Sequence, residues 1–219
     1  PDPELATYST VGADALHRLW HYGMHGGPAN SRNLILYMKS LIAGGDEWQE
    51  PTPLVRAGLY WPDADMPSLA DVQKHWQPDQ PVVALVFYLA LVQAGNLAAA
   101  NAMITELQSA GLNPLPMFAQ SLKDPVSSET VSNMFADAKP SVILNATGFA
   151  VSAPGAARSP TPFDGADCPI LQVVFSGGNK ESWLEGTRGL SARDIAMNVA
   201  LPEVDGRIFT RAVSFKGRA

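Results

Sequence analysis

Cysteine is nearly absent: Cys168 is the only one in 219 residues, which excludes an internal disulfide and any thiolate metal cluster. Charge is sparse as well. Charged side chains make up 16% against 46% hydrophobic, which excludes a solvated or disordered chain and fits a packed core. The charge present sums to −6, so a broad phosphate-backbone contact, and with it a nucleic-acid partner, is not expected. The longest apolar run, Pro81–Val92, falls short of the ~20 residues a membrane span needs; it reads as a buried strand running into a short helix. No initiator methionine or signal-like segment opens the chain at Pro1. The expectation is a cytoplasmic chain without a membrane span, and a sequence that is part of a longer gene product. Familiar catalytic signatures are missing too. There is no P-loop, no glycine-rich dinucleotide fingerprint, no nucleophile elbow and no paired-histidine zinc-protease motif, so ATP binding and nucleophilic hydrolysis have no direct support.

What is present is alternation. Asp14–Met24 carries Leu16, Leu19, Trp20 and Met24 at helical spacing, and Gly26-Gly27-Pro28 stops it. A second helix over 29–42 ends at Gly44-Gly45, with Pro28 suited to its first turn. A short helix is expected over 68–76. From Val82 to Phe87 the residues are continuously apolar, as in a central parallel strand covered on both faces. A helix over 97–110, a strand over 112–119, a helix over 127–138 and a strand over 141–146 follow. Pro114 and Pro116 deprive the 112–119 strand of donors and predict an edge or irregular position. Residues 147–169 form a long glycine-, proline- and alanine-rich segment, read as a functional loop, an insertion or a disordered cover. A strand over 170–175, a helix from Ser191 through about Val199 with Ser191 and Asp194 capping it, and a strand over 211–215 complete the pattern. The fold class is α/β: an open, mostly parallel sheet with flavodoxin-like or Rossmann-like layering, preceded by a small helical region. The expected division is a helical linker or subdomain over 1–78 and an incomplete α/β domain over 79–219.

Candidate chemistry sits where strands end. Asn145, Thr147 and Gly148 follow an apolar strand, the position at which open α/β sheets form ligand crevices, and their amide, hydroxyl and backbone donors suit an anionic group. Glycine there serves a turn equally well. Ser176 and Gly177 occupy the same position after the next strand and resemble a small anion-binding turn. Glu203, Asp205, Arg207 and Arg211 form the densest polar grouping: a carboxylate pair for proton transfer with arginines for substrate carboxylates, or a solvated turn with salt bridges. His17, His21 and His25 recur at i, i+4, i+8. Packing or surface roles are expected for them and no metal ligand is assigned, with a metal or substrate role as the alternative.

Several segments in order carry a resemblance: Gly26-Gly27-Pro28-Ala29-Asn30, Gly58-Leu59-Tyr60-Trp61-Pro62-Asp63, Gly111–Phe118, Ser121–Pro125, Asn145–Ala150, Pro169–Phe175, Leu190–Ala196 and Ala200–Ile208. Together they resemble the large subunit of aerobic cobaltochelatase, an internal region of it, within the wider cobaltochelatase and magnesium chelatase large-subunit family. The resemblance implies a ligase inserting cobalt(II), as substrate, into hydrogenobyrinic acid a,c-diamide on the route to cobalamin. It implies that Mg-ATP is used by two smaller partner subunits, one an AAA+ ATPase, and does not bind this chain. It also implies that the corrinoid and the remainder of the large subunit are partners, and that the fragment alone is inactive. Within it Glu203 and Asp205 are the expected catalytic groups, while Asn145, Thr147, Gly148, Ser176, Gly177 and Arg207 are the expected substrate contacts. Leu89 stands where the family pattern places an arginine. Magnesium insertion and a non-catalytic α/β scaffold are the alternatives.

Overall fold

Residues 2–187 and 189–217 are described by a computed structural model. They divide into two compact units, one running to Val55 and taking in Ala90–Asn96, the other holding Arg56–Leu89 and the chain from Leu97 onward.

In the first unit glycine and proline set the helix ends. After the single turn α1 (Pro3–Ala6), α2 (Ala13–His25) stops at Gly26, whose φ of 63° is open to glycine, and α3 (Pro28–Ala43) begins with proline where the missing N–H breaks no bond. Buried Tyr22 and Tyr37 pack the two long helices together. Arg18 lies over Tyr37 and Trp48 and pairs with Glu50 at 2.8 Å. Asn30, also buried, donates to Gly26 O and Thr52 O and accepts the Thr52 N–H.

The second unit is a six-stranded sheet of β1 (Ala57–Leu59), β2 (Val82–Tyr88), β3 (Asn113–Ala119), β4 (Val142–Asn145), β5 (Ile170–Phe175) and β6 (Ile208–Ser214), in the order β1-β3-β2-β4-β5-β6. Every pairing is parallel except β1 with β3. α4 (Leu69–Gln73) has a Ser68–Asp71 capping box; α5 (Leu89–Gln93) follows β2 directly in the chain, as the apolar run predicts, and from Ala90 onward it belongs to the first unit. α6 (Ala98–Ser109) packs on β2 and β3, and α7 (Pro125–Ala138) follows β3. Ala84 and Val86 of β2 share a core cluster with Val131 and Phe135 of α7, while Val83, Leu85 and Phe87 point to the other face and are equally buried. The result is the open, mostly parallel α/β sheet with flavodoxin-like layering, preceded by helices.

Two readings change. β3 is not an edge strand: it lies between β1 and β2. The Asn113 N–H points toward β2, bonding Pro81 O, so by alternation the donors that Pro114 and Pro116 lack face β1. There Tyr60 N–H donates to Pro116 O at 2.9 Å with no reciprocal bond available, and the β1 ladder ends. β1 also brings Ala57–Leu59 into the sheet, so the sheet unit begins upstream of residue 79, where the sequence pattern put its boundary. α8 (Lys180–Glu185) was not anticipated.

Candidate functional site

In a doubly wound sheet the crevice opens at the carboxyl ends of the strands where the winding reverses. β2 is that strand, with β3 on one side and β4 on the other. A cleft of about 130 Å³ lies there, lined by Tyr88 from the end of β2, Ser121–Lys123 after β3, Thr147–Val151 after β4, and Arg207.

The segment after β4 is shaped by a proline elsewhere. α9 (Ala192–Ile195) continues through a π-helical turn, Ala196–Ala200, into α10 (Leu201–Val204), so the helix expected to end near Val199 extends further. The Leu201 N–H bonds Ala196 O in place of Met197 O. The next donor along, at Pro202, does not exist, and Met197 O is left over. It accepts the Phe149 N–H at 2.9 Å. Gly148 approaches this carbonyl so closely that a Cβ would lie 2.9 Å from Met197 O and 3.1 Å from Asn198 Oδ1. Here glycine is required by contact. Phe149, which lines the cleft and is 53% exposed, is then held at φ 63°, a backbone conformation that a bulky L-residue rarely adopts.

Beneath the cleft lies a buried ion pair. Arg207 Nη2 donates to Asp205 Oδ2 at 2.8 Å, both side chains being 1% exposed. The Asp205 carboxylate also accepts the Val151 and Ser152 N–H groups at 2.7 and 2.9 Å. Burial alone would raise the Asp205 carboxyl, but those amides and Arg207 outweigh it and hold it below its ordinary value. Burial draws Arg207 down against the pull of Asp205, from so high a start that it stays charged. Arg207 Nη1 reaches Thr147 O at 3.4 Å, and its buried Nε has no hydrogen-bond partner. Arg158 extends the anchor, donating to Asp205 O and gripping Asp164 through two bonds of 2.6 and 2.9 Å. Segment 147–169 is therefore tied down at several points, and its Phe163 is buried in the core.

Asn145 and Thr147 organise the floor. Asn145 Nδ2 donates to Thr147 O and to Gln172 Oε1, while its Oδ1 accepts the Thr147 hydroxyl. Gln172 Nε2 also donates to Thr147 O. That carbonyl thus receives Asn145, Gln172 and Arg207, all of them buried. Tyr88 adds its hydroxyl to Gly148 O at 2.9 Å, and burial pushes its pKa up.

A second opening forms after β5. Ser176, Gly178, Asn179, Ser191 and Ile195 are among its walls. The donors of the Ser176–Gly178 turn are already used: Ser176 Oγ and Gly177 N–H bond the buried Asp194 carboxylate at 2.8 and 3.1 Å, and Gly178 N–H bonds Ser176 Oγ. Ser191 caps its helix by accepting the Asp194 N–H, as its position predicts, but the Asp194 carboxylate does not cap it and turns to Ser176 and Gly177 instead. Glu203 is exposed on α10 and lines neither opening. Among the expected site residues, Thr147, Gly148 and Arg207 line one cleft, Asn145 and Asp205 support it, and Ser176 and Gly177 lie at the other opening.

The sequence profile of the CobN/Magnesium Chelatase family matches residues 20–219. The chain belongs to the CobN/magnesium chelatase family. It is similar to the aerobic cobaltochelatase subunit CobN of Sinorhizobium sp., 46% identical over 99% of this chain and 18% of that protein. It is 27% identical to the chloroplastic magnesium-chelatase subunit ChlH of Oryza sativa subsp. indica, over 90% of this chain and 16% of the relative. The solved catalytic subunit of cobaltochelatase from Mycobacterium tuberculosis superposes with a TM-score of 0.81 at 27% identity, covering all of this chain and 18% of that one. The chain thus spans under a fifth of the length of these relatives.

Three residues of this family member escaped the sequence reading of the site. Gln172 is a lone polar residue in an apolar central strand, a signal in itself. Tyr88 was hidden at the end of an apolar run. Asp194 looked like a helix cap only. Leu89 is buried at the start of α5. Among the described residues, no helix is long and apolar enough to cross a membrane.

Proposed function

We propose that the chain forms part of the large subunit of an ATP-dependent cobaltochelatase, and that its cleft holds one peripheral arm of hydrogenobyrinic acid a,c-diamide while cobalt(II), the second substrate, is inserted. The observation that carries this reading is the cleft at the carboxyl ends of β2, β3 and β4, lined by Lys123, the Thr147–Phe149 segment and Arg207. Its two cationic side chains suit a carboxylate or amide arm. Size supports an arm over the ring. Ligand pockets run to roughly 300–1,000 Å³, and a cleft of about 130 Å³ takes a substituent while the macrocycle lies outside, against the exposed Phe149 ring. The difference between 46% and 27% identity to the two branches favours cobalt over magnesium.

Insertion needs a positioned macrocycle, removal of pyrrole protons and a cation that sheds its water. In this reading Thr147, Gly148 and Arg207 position, with Asn145 beneath them, and Ser176 and Gly177 shape the neighbouring opening. Glu203, exposed, is the proton acceptor, and Asp205 serves by holding Arg207 and the 147–169 segment. Nucleotide-driven work falls to two smaller subunits, including an AAA+ ATPase using Mg-ATP, in a cytoplasmic complex with the remainder of the large subunit. Optical titration of hydrogenobyrinic acid a,c-diamide tests the cleft: Phe149→Ala and Arg207→Lys are expected to weaken binding at least tenfold, and unchanged affinity in both would remove the cleft from the reading. For Glu203→Gln in the reconstituted enzyme, insertion that is unchanged at saturating and limiting cobalt would sink its role. A scaffold reading draws on a separate observation, that Asp194 and Asp205 both spend their carboxylates on backbone amides.

A further inference from the structure

The three histidines of α2 share one face, as residues four apart on a helix do, and α2 runs unbroken through His25. His17 Nε2 lies 3.2 Å from His21 Nε2, and His21 Nδ1 lies 3.4 Å from His25 Nε2. We propose that His17 and His21 form a two-imidazole site for a late first-row divalent cation, bound through their Nε2 atoms, with His25 positioning His21 by accepting its Nδ1–H.

The spacing fits. Two nitrogens each ~2.0–2.1 Å from one tetrahedral ion lie roughly 3.3–3.4 Å apart, close to the His17–His21 separation already present without an ion. The order of the ring contacts fits as well. A ligating imidazole ordinarily donates its other N–H to an acceptor that fixes tautomer and orientation, and His25 Nε2 stands where that acceptor belongs. The donor set selects the cation: imidazoles suit cobalt, nickel, copper and zinc, whereas magnesium takes oxygen ligands. Among the described residues no group of three or more histidine, cysteine or acidic side chains is arranged to hold a metal, so water completes the coordination and the ion exchanges readily. Binding there is independent of the tetrapyrrole reading; only the further idea that the ion is cobalt in transit rests on it.

Trp20 stacks on His17 and meets His21 edge-on, with centroids 5.9 and 5.0 Å away, and so reports on the site. Calorimetric titration of the untagged chain with Co(II), Zn(II) and Mg(II), paralleled by Trp fluorescence quenching with Co(II), is the test. Saturable Co(II) and Zn(II) binding is expected, without Mg(II) competition. His17→Gln and His21→Gln, checked by circular dichroism for an intact helix, are expected to abolish it, and His25→Gln to weaken it about tenfold. Binding unchanged in the first two variants overturns the site, as does no binding by the unaltered chain. Loss in His25→Gln as complete as in His21→Gln overturns the positioning role of His25.

Discussion

Two turns leave the carboxyl ends of neighbouring parallel strands, and their fates differ. Both Asn145–Phe149 after β4 and Ser176–Gly178 after β5 offer small residues, hydroxyls and free backbone donors, and on composition either is an anion site. After β5 the protein supplies its own anion. Asp194 takes the Ser176 hydroxyl and the Gly177 N–H, leaving that turn satisfied. After β4 the corresponding carboxylate, Asp205, binds farther along the chain at Val151, Ser152 and Arg207. The turn itself lines the cleft, with its Thr147 hydroxyl and Phe149 N–H bonded within the protein and Phe149 exposed. The two turns differ in which carboxylate holds them and in what they leave exposed, Phe149 at the first and no apolar side chain at the second.

The strongest way to break this contrast is to remove Asp205. Asp205→Ala leaves Arg207 buried without its partner and frees two amides, so denaturant unfolding should show a loss of about 3–5 kcal/mol, with faster proteolysis within 147–169. Asp194→Ala should cost less, about 1–3 kcal/mol, because it strands a hydroxyl and an amide but no buried cation, and it should leave corrinoid affinity unchanged. Acid tests both together. Each carboxyl sits below its ordinary value: burial raises it, and hydrogen bonds from amides and hydroxyls outweigh burial. A depressed folded pKa contributes stability above the unfolded value and loses it as pH falls toward the folded one. Thermal midpoints should therefore drop below about pH 4, with a shallower slope in Asp205→Asn.

The sheet was legible because its central strand is covered on both faces, which writes β2 as an unbroken apolar run. The helix ends were legible through Gly26-Pro28 and the Ser68–Asp71 box, where local chemistry settles the geometry. β1 was not, since Ala57-Gly58-Leu59 has no pattern of its own and exists by pairing with β3. Pro114 and Pro116 misled because sequence does not say which neighbour a missing donor faces. In the site, Thr147, Gly148 and Arg207 each stood out as polar or turn residues. What joined them, a π turn forced by Pro202 and a carboxylate reaching from Asp205 to Val151, acts across some fifty residues and leaves no local mark. Asp194 shows the same limit: its N–H obeys the local capping rule while its carboxylate answers to β5.

Gly148→Ala sharpens the comparison at the open turn. The added methyl meets Met197 O at 2.9 Å, a backbone atom that has no rotamer to change, so the segment must shift at a cost of about 1–3 kcal/mol. Corrinoid affinity should fall with it, whereas Gly177→Ala, whose Cβ would meet Asp194 Oδ1 at 3.5 Å, has ordinary contact distance and should do neither.

The smallest effect separates stability from use. Phe149 holds φ 63° with an exposed ring, an arrangement that costs of order 1 kcal/mol for a non-glycine residue. Glycine removes that strain, although it also frees the unfolded chain, so Phe149→Gly should change stability by no more than about 1 kcal/mol in either direction. Its N–H bond to Met197 O survives the change, since the backbone is untouched. If the ring is there to meet a macrocycle, corrinoid binding falls at least tenfold while the unfolding midpoint barely moves. If the ring only covers the turn, binding stays constant, and the open turn after β4 is as structural as the closed one after β5.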